Sequence, residues 1–392
     1  MLDFLIKLKD DKHKSVSCTF RSTKRKDLMT KGGHFAAFYD DKTGMWSTDL
    51  DDLCNRVDEE IDDKVAEINE VVPGYSAEYM SVYNTGILKS FINFVKDVPD
   101  KFDTLDPRVI FANEETTRED FCAHKVNYIL EEGDYSAWDK LIGTLYDPDD
   151  REKFEWAIGA LISGRSRYIQ KAIFVEGQPG KGKSTIFDIM QEMMPYHSNA
   201  FVAEDLGNES KQFAASAFAS NPLFAIDADA KLFNISATNR MNQIISHDKT
   251  LINEKFKAPY PMRVTTMLFM ASNDHLDINS SRSGLMRRII LIKPSGRTLP
   301  RTEYDELRER IKFEYGAIAY HCLEVFNTLG ESYYDDLRDK RLLDGSNETY
   351  KFLKEIYLEI VSEPYTTVNS LWLKFRQWQE HNHRRIRSCC KI

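Results

Sequence analysis

The sequence predicts an α/β protein whose main unit is a parallel β-sheet covered by helices. Five short apolar runs alternate with helical segments, a glycine-rich segment directly follows the first run, and polar residues directly follow two others. Such alternation is typical of a parallel sheet that binds its ligand at the carboxyl ends of the strands. The predicted strands are residues 172–175, 200–203, 223–226, 264–271 and 289–292.

A chain of 392 residues is too long for one ordinary hydrophobic core. We divide it into a mixed, mostly helical N-terminal α+β domain, a helical collar or linker, the sheet-containing unit and a helical C-terminal domain, for which a winged helix is an alternative. No internal repeat or low-complexity linker separates these regions, so we expect them to pack closely. Their boundaries are 1–127, 128–168, 169–296 and 297–392.

Local patterns predict the N-terminal elements. Residues 34–39 and 45–47 flank a turn that ends in Gly44, which is typical of a β-hairpin. Residues 49–70 place apolar side chains at helical spacing and carry an acidic outer face, which predicts a solvated amphipathic helix. The same patterns predict a second helix at 77–95 and a strand at 108–112.

The segment from Asp147 to Glu152 is typical of a helix start, with Asp149 as the cap and Glu152 three residues later. We expect this helix to continue to Gly164. After the last predicted strand the pattern becomes helical and charged. It predicts helices at 304–315 and 317–329 with a break at Gly316, and a final helical block at 347–381.

Composition excludes several classes of protein. No apolar run approaches the roughly 20 residues of a membrane span, and an acid follows the N-terminus too early for a secretion signal. The 6 cysteines form no C-x-x-C pair, so neither a disulfide framework nor a zinc site is indicated. A net charge of −9 argues against a surface coated with nucleic acid but leaves room for local basic sites. We expect a cytoplasmic protein with no membrane partner.

The glycine-rich segment predicts a phosphate-binding loop between a strand and a helix. Its glycines let backbone N–H groups turn inward around a polyphosphate, Lys183 supplies positive charge to the terminal phosphates, and the Ser184 hydroxyl can bind magnesium. Lys181 does not occupy the motif's lysine position, and we interpret it as a solvated charge. We predict binding of a nucleoside triphosphate with Mg²⁺. The segment is Gly177, Gln178, Pro179, Gly180, Lys181, Gly182, Lys183, Ser184 and Thr185.

Two acids follow the third predicted strand. Asp227 stands where a nucleotide-hydrolysing site needs a carboxylate to hold magnesium, usually through water. Asp229 would point to the same side if the strand continued. Periodicity favours a solvent-facing loop acid equally for Asp229, so both interpretations stay open.

Asn273 follows the fourth predicted strand. Its amide can bind the attacking water or the γ-phosphate if this strand lies beside the phosphate loop. Taken alone, an asparagine at such a position is more often a turn former. Three arginines, Arg282, Arg287 and Arg288, precede the last strand. An arginine there can reach from one subunit to the γ-phosphate of its neighbour and stabilise the transition state. Each can equally be a surface arginine or a structural ion pair.

The order of these motifs resembles the superfamily 3 helicases, AAA+-type ring motors of small viruses, phages and mobile elements. It is most similar to the phage and plasmid primase-helicase group, typified by poxvirus primase-helicase and satellite-phage replication proteins. Residues 38–46 and 156–159 are similar to the helical domain that precedes the motor in that group. The resemblance implies an AAA+-type sheet at 169–296, ATP and Mg²⁺ as cofactors, and assembly as a homohexamer.

The resemblance also implies roles for single residues. Lys183 and Ser184 correspond to the phosphate and magnesium residues, Asp227 to the acid of the second motif, and Asn273 to the first sensor. Arg288 is the preferred arginine finger, with Arg287 and Arg282 as alternatives. The family's adjacent acids are here separated by Ala228, so the residue that orients the attacking water stays open.

The family carries a hairpin that reaches the central channel, and residues 247–257 are similar to it. Lys255 and Lys257 would contact phosphates, with Phe256 or Tyr260 near bases or sugars. The alternative is an ordinary two-stranded turn with exposed lysines.

The function implied is an ATP-dependent, ring-forming replicative helicase of a phage or mobile element, moving 3′ to 5′ on single-stranded DNA in the host bacterial cytoplasm. No convincing D-x-D primase site is visible in the residues before the phosphate loop, so we predict no primer synthesis by this chain and expect a separate primase or polymerase as partner. One alternative is an origin-binding initiator ATPase that reads duplex DNA with a basic C-terminal segment. Another is a DNA-independent AAA+ remodelling ATPase.

Overall fold

A computed structural model of the chain describes residues 4–8, 16–20, 28–31, 35–48, 50–71, 105–231, 238–255, 259–273, 284–335, 352–353, 355–356 and 367–389. The helix predicted at 77–95 lies outside these ranges.

The N-terminal region combines small β-sheets with one long helix. Its first two strands pair antiparallel, the next three form an antiparallel sheet, and the last two pair in parallel. The strands are β1 (Phe4–Leu8), β2 (Val16–Phe20), β3 (Leu28–Lys31), β4 (Phe35–Asp40), β5 (Met45–Ser47), β6 (Asp106–Ile110) and β7 (Cys122–Lys125). The helix α1 (Leu50–Val71) lies between β5 and β6 and confirms the predicted amphipathic helix.

The β4–β5 hairpin is confirmed and is fastened to the segment that follows α1. Gly44 closes its turn with φ of 72°, and its N–H donates to the Asp40 carbonyl at 2.8 Å. The buried Trp46 donates its indole N–H to the Arg118 carbonyl at 2.9 Å. The Thr116 hydroxyl donates to the Gly44 carbonyl at 2.8 Å. These bonds hold the hairpin against the region around β6 and β7.

Two helices, α2 (Ser136–Leu145) and α3 (Pro148–Ile162), precede the main sheet. The predicted helix start is confirmed, but the prediction of Asp149 as its cap is wrong, because Asp147 is the N-cap residue. Pro148 occupies the first turn, where its missing N–H leaves no hydrogen bond unmade.

The main sheet has five parallel strands in the order β14-β8-β13-β10-β9, which confirms the α/β class. Its strands are β8 (Ala172–Glu176), β9 (Ser198–Ala200), β10 (Phe224–Asp227), β13 (Met267–Ser272) and β14 (Ile289–Ile292). Between β10 and β13 the chain forms an antiparallel hairpin of β11 (Lys249–Ile252) and β12 (Tyr260–Arg263). The connecting helices are α4 (Lys183–Met193), α5 (Ala203–Leu206) and α6 (Asn239–Ile245).

Two strands differ from their predicted bounds for reasons of hydrogen bonding. Residue 203 begins α5 rather than ending a strand, because the Asp227 carboxylate accepts the N–H of Ala203 at 2.7 Å. The strand predicted from residue 264 begins at Met267, because the Thr265 N–H bonds the Asn221 side chain and the Thr266 hydroxyl bonds the Pro222 carbonyl.

The C-terminal region is helical where it is described, with α7 (Arg301–Ile311), α8 (Tyr315–Leu329) and α9 (Val368–Cys389). The predicted break at Gly316 is wrong, since Gly316 lies inside α8 and the interruption falls at 312–314. Gly316 instead allows a close approach, because a Cβ there would lie 2.0 Å from the Ile129 carbonyl oxygen. No described helix has both the length and the apolar character needed to cross a membrane.

Alternate residues of the central strands pack on opposite faces of the sheet. Ile173 and Val175 contribute to a core with α2, α3, α4 and α8, whereas Phe174 contributes to a second core with α5 and α6. Strands buried on both faces are therefore nearly continuous apolar runs, which is why their sequences were recognisable. The α3–α8 contact is tight, because a Cβ on Gly159 would lie 2.2 Å from the Cys322 carbonyl oxygen.

We predict that Gly159→Ala destabilises the protein by about 1–3 kcal/mol through overpacking against the backbone of α8. Gly143→Ala is the matched control, because it also adds a methyl group inside a helix but meets only the flexible end of Arg151, at 3.3 Å. The control should be neutral or about 1 kcal/mol more stable, since alanine favours helices over glycine. Urea unfolding measures both variants, and equal midpoints would contradict the tight α3–α8 contact.

Candidate nucleotide-binding site

The glycine-rich segment forms the loop that was predicted between a strand and a helix. It follows β8, and α4 begins at Lys183. Because β8 lies between β14 and β13, the loop stands at the carboxyl edge of the sheet, near its middle. This edge is where open α/β sheets bind their ligands.

Two glycines of the loop have the left-handed backbone, Gly180 with φ of 73° and Gly182 with φ of 88°. A Cβ on Gly182 would also lie 2.9 Å from Leu145, whereas a Cβ on Gly180 would meet nothing within 4 Å. The Tyr146 hydroxyl donates to the Gly182 carbonyl at 3.0 Å. The residue before α4 therefore has both a backbone and a packing requirement for glycine.

Lys183 is buried inside this loop, where its ammonium group has three oxygen acceptors. Nζ donates to the Gly177 carbonyl at 2.6 Å, the Gln178 carbonyl at 3.0 Å and Oδ1 of Asn273 at 2.6 Å. Burial lowers the pKa of Lys183, and the charge of Asp229 opposes that shift. Two predicted site residues that are 90 positions apart are thus in direct contact.

The neighbouring strand brings Asn273 to the loop. β13 pairs with β8 so that Ser272 lies opposite Glu176, and the Gly177 N–H donates to the Ser272 carbonyl at 3.1 Å. Asn273 is the next residue and therefore lies level with the start of the loop.

The two acids have different surroundings. Asp227 ends β10, which β13 separates from β8, so it lies about 10 Å from that strand at ordinary strand spacing. Its carboxylate accepts the backbone N–H groups of Ala203 at 2.7 Å and Asp229 at 3.2 Å. Burial raises the pKa of Asp227, and these hydrogen bonds lower it. Asp229 is exposed, and its charge acts on Lys183.

The remaining loop residues differ in what their side chains contact. Ser184 is exposed in the first turn of α4. Thr185 is buried, and its hydroxyl lies 3.0 Å from the Tyr304 hydroxyl of α7. Lys181 donates to the Gly296 carbonyl at 3.1 Å. Sequence analysis missed Tyr304, because Tyr304 joins the loop through this contact across 119 residues of sequence.

Two of the predicted arginines, Arg287 and Arg288, lie at the amino edge of the sheet, opposite to the loop. Arg288 directly precedes β14, level with Lys171, and the six residues from there to Gly177 span about 20 Å at strand geometry. Arg288 donates to the Ser246 hydroxyl and to the Gly284 carbonyl, each at 2.8 Å. Burial lowers its pKa. Within one chain, therefore, Arg288 does not reach the loop.

The other two arginines differ from Arg288. Arg287 has an exposed side chain, while its carbonyl accepts from Nζ of Lys171 at 2.7 Å. Arg282 lies outside the described residues.

The predicted hairpin is present as β11 and β12. Lys255 is exposed near its tip, while Phe256 and Lys257 lie outside the described residues. The expectation that Tyr260 is available to bases is wrong, because its ring is buried and its hydroxyl donates to Glu254 at 2.9 Å.

Comparison with known proteins gives one match to a family model. A family of unknown function, DUF5906, matches residues 175–288. No curated protein matches the chain.

Many solved structures are similar to the chain, among them three of low identity. An A-form apo structure of the NrS-1 C-terminal region is 14% identical, with a TM-score of 0.46, over 88% of this chain and 79% of that chain. Another apo structure of that region is 15% identical, with a TM-score of 0.41, over 64% of this chain and 63% of that chain, so this chain spans less than two thirds of its length. A JCV helicase is 13% identical, with a TM-score of 0.32, over 57% of this chain and 63% of that chain. Because identity and TM-scores are low in all three comparisons, the function proposed below is argued from the residues of this chain's own site.

We predict that Asp227→Ala lowers the free energy of unfolding by about 1–2 kcal/mol, because it leaves two backbone N–H groups without their acceptor. Asp229→Ala, at an exposed position, should change it by less than about 0.5 kcal/mol. Thermal unfolding of the two variants measures the difference. Equal stability would mean that the Asp227 carboxylate does not hold the start of α5.

Proposed function

We propose that this chain is a P-loop ATPase acting as a ring-forming replicative DNA helicase. The observation that carries the proposal is the contact between Lys183 and Asn273 inside a glycine loop at the carboxyl edge of the sheet. A lysine at the end of the loop and an amide on the adjacent strand are the groups that bind the terminal phosphates of a nucleotide and position the attacking water. Hydrolysis of the triphosphate supplies the free energy for movement.

The residues of the loop fit a Mg²⁺-bound triphosphate. Gly180 is exposed, and a Cβ there would meet nothing within 4 Å, so this turn of the loop leaves room for a ligand. Ser184 is exposed at the N-terminus of α4, where its hydroxyl is available to a metal ion. Lys183 would transfer its N–H donors from the loop carbonyls to phosphate oxygens, which are stronger acceptors because they are charged. Asn273 would then orient water beside them.

We propose that Asp229 is the acid that faces the metal and the water, and that Asp227 holds the turn in place. Asp229 is exposed and acts electrostatically on Lys183. The next residue, Ala230, donates its N–H to the Ala271 carbonyl at 2.7 Å, which keeps this turn beside the end of β13. Asp227 remains the alternative, since a carboxylate oxygen that accepts one N–H retains a further lone pair.

The proposed activity is tested by the ATPase rate with Mg²⁺, measured with and without single-stranded DNA beside the mass of the assembly. We expect DNA-stimulated hydrolysis by a multi-subunit species, 3′ to 5′ strand separation, and loss of hydrolysis in Lys183→Ala. Lys255→Ala should keep ATP binding and lose strand separation.

DNA-independent hydrolysis without DNA affinity would favour the alternative of a remodelling ATPase. Specific binding to duplex DNA without unwinding would favour the alternative of an origin-binding initiator. A chain that hydrolyses no triphosphate would contradict the proposal.

We further propose that subunits form a homohexamer in which Arg287 reaches the triphosphate of the neighbouring subunit. Its exposed side chain and its place at the edge opposite to the loop support action between chains. Arg288 is tied to Ser246 and Gly284 and would hold the segment that carries Arg287. A separate primase or polymerase would supply primers.

We predict that Arg287→Ala lowers the ATPase rate by about 10³-fold or more, the range for arginine fingers, without loss of stability. Mixing this variant with Lys183→Ala should restore part of the activity, because some interfaces then combine an intact loop with an intact arginine. Arg288→Ala should instead lower stability as well as activity. No recovery on mixing, measured with preassembled oligomers, would argue against action between chains.

A further inference from the structure

A cleft of about 820 Å³ lies far from the nucleotide loop, between the N-terminal region and the sheet unit. Its floor is β7, one wall is the β4–β5 hairpin with the start of α1, and the other wall is formed by the loops before β9 and β10. We call it the β7 cleft. It lies at the amino edge of the sheet, whereas the loop lies at the carboxyl edge. This volume is in the range of pockets that hold small ligands.

The aromatic ring that the cleft offers to a ligand is Tyr196. Its side chain is fully exposed, and its backbone has φ of 68°, which is rare for a bulky residue. Such a conformation persists only where neighbouring contacts enforce it. The other large aromatic side chains of the cleft, Phe38 and Trp46, are buried.

His197, the residue after Tyr196, forms a pair with His124 of β7. Nε2 of His197 lies 3.0 Å from the Lys125 carbonyl, which can only accept, so this nitrogen carries the proton. In the neutral ring Nδ1 of His197 then accepts from Nδ1–H of His124, at 3.2 Å. Burial lowers the pKa of both histidines, so the neutral pair persists at neutral pH. The side chain of the residue after Tyr196 is thus hydrogen-bonded to β7 on both of its ring nitrogens.

Among the described residues that line the cleft, three are basic (Lys42, Arg56 and Lys125) and two are acidic (Asp40 and Glu59). Asp40 pairs with Arg56 at 3.2 Å, and Glu59 lies 3.7 Å from Lys42. Lys125 is exposed and donates to the Thr43 carbonyl at 3.4 Å. The cleft therefore has a small positive excess, suited to one phosphate group rather than to a polyphosphate. Hydrogen-bonding side chains without charge make up much of the remaining lining: Ser47, Thr48, Asn55, Asn127, Asn199 and Ser220.

We infer that the β7 cleft binds single-stranded nucleic acid, with a base stacked on Tyr196, a phosphate on Lys125 and base edges against the neutral amides and hydroxyls. An exposed ring, a single cation and amide groups form the combination that proteins use to hold unpaired bases. The inference rests on the proposed helicase function and adds a second contact with the strand, separate from the β11–β12 hairpin. A peptide partner fits less well, because the apolar side chains of the cleft are largely buried.

The test measures binding of a fluorescent oligothymidylate to the full chain and to two matched variants. Tyr196→Ala should weaken binding roughly tenfold, the effect of losing one stacked base, while Tyr196→Phe should stay within about twofold. Lys125→Ala should reduce the dependence of binding on salt by about one phosphate contact. Basal ATPase activity and thermal stability should be unchanged in the Tyr196 variants, because the side chain is fully exposed. An oligonucleotide carrying 5-iodouracil should cross-link to Tyr196.

The outcomes separate this inference from the proposed function. If the wild-type chain binds the oligonucleotide and responds to it in ATPase rate, while Tyr196→Ala binds equally well and no cross-link forms at Tyr196, the cleft does not hold the strand and the helicase proposal stands. If the wild-type chain binds no single strand at all, both fall. If Tyr196 is instead needed to bind an unstructured polypeptide, the cleft belongs to a protein partner and the inference is overturned.

Discussion

The site depends on the pairing of β13 with β8. This register places Asn273 level with the start of the loop, where its side-chain oxygen completes the coordination of the Lys183 ammonium. A buried ammonium is costly unless each of its hydrogen bonds is made. Two loop carbonyls supply the other acceptors, so the lysine, the loop and the adjacent strand constrain one another. The same arrangement ties a phosphate-binding group to a group that can sense the phosphate.

The direction of the sheet separates the functions proposed for the chain. Because all five strands run parallel, their carboxyl ends carry the loop, Asn273 and the two acids, while their amino ends carry Arg287 and Arg288 and adjoin the β7 cleft. An arginine about 20 Å from the loop of its own chain would, in the proposed assembly, complete the site of another chain. Single-stranded nucleic acid bound in the β7 cleft would leave the nucleotide site at the carboxyl edge accessible. The amino edge of the sheet can therefore serve both proposed contacts, because these arginines lie beside β14 and the β7 cleft lies beside β9 and β10, at the other end of the strand order.

The N-terminal region is joined to the sheet unit by specific polar contacts rather than by apolar packing alone. The His124–His197 hydrogen bond links β7 to the loop before β9, and the hairpin is fastened to the same region through Trp46 and Thr116. At the other side of the sheet unit, the Thr185–Tyr304 contact joins the helix of the phosphate loop to α7. The first turn of α4 is therefore tied directly to a C-terminal helix.

The sequence by itself predicted the parallel sheet, the phosphate loop, the β4–β5 hairpin and most helices, because buried strands and amphipathic helices have local periodic patterns. It also named Lys183 and Asn273 as members of one site. Their contact was decided by tertiary structure, as was the start of β13, since each depends on partners far away in the chain. The same holds for the two acids and the two described arginines. Their residue types were recognisable, but only packing left Asp229 and Arg287 exposed while tying Asp227 and Arg288 to neighbouring polar groups.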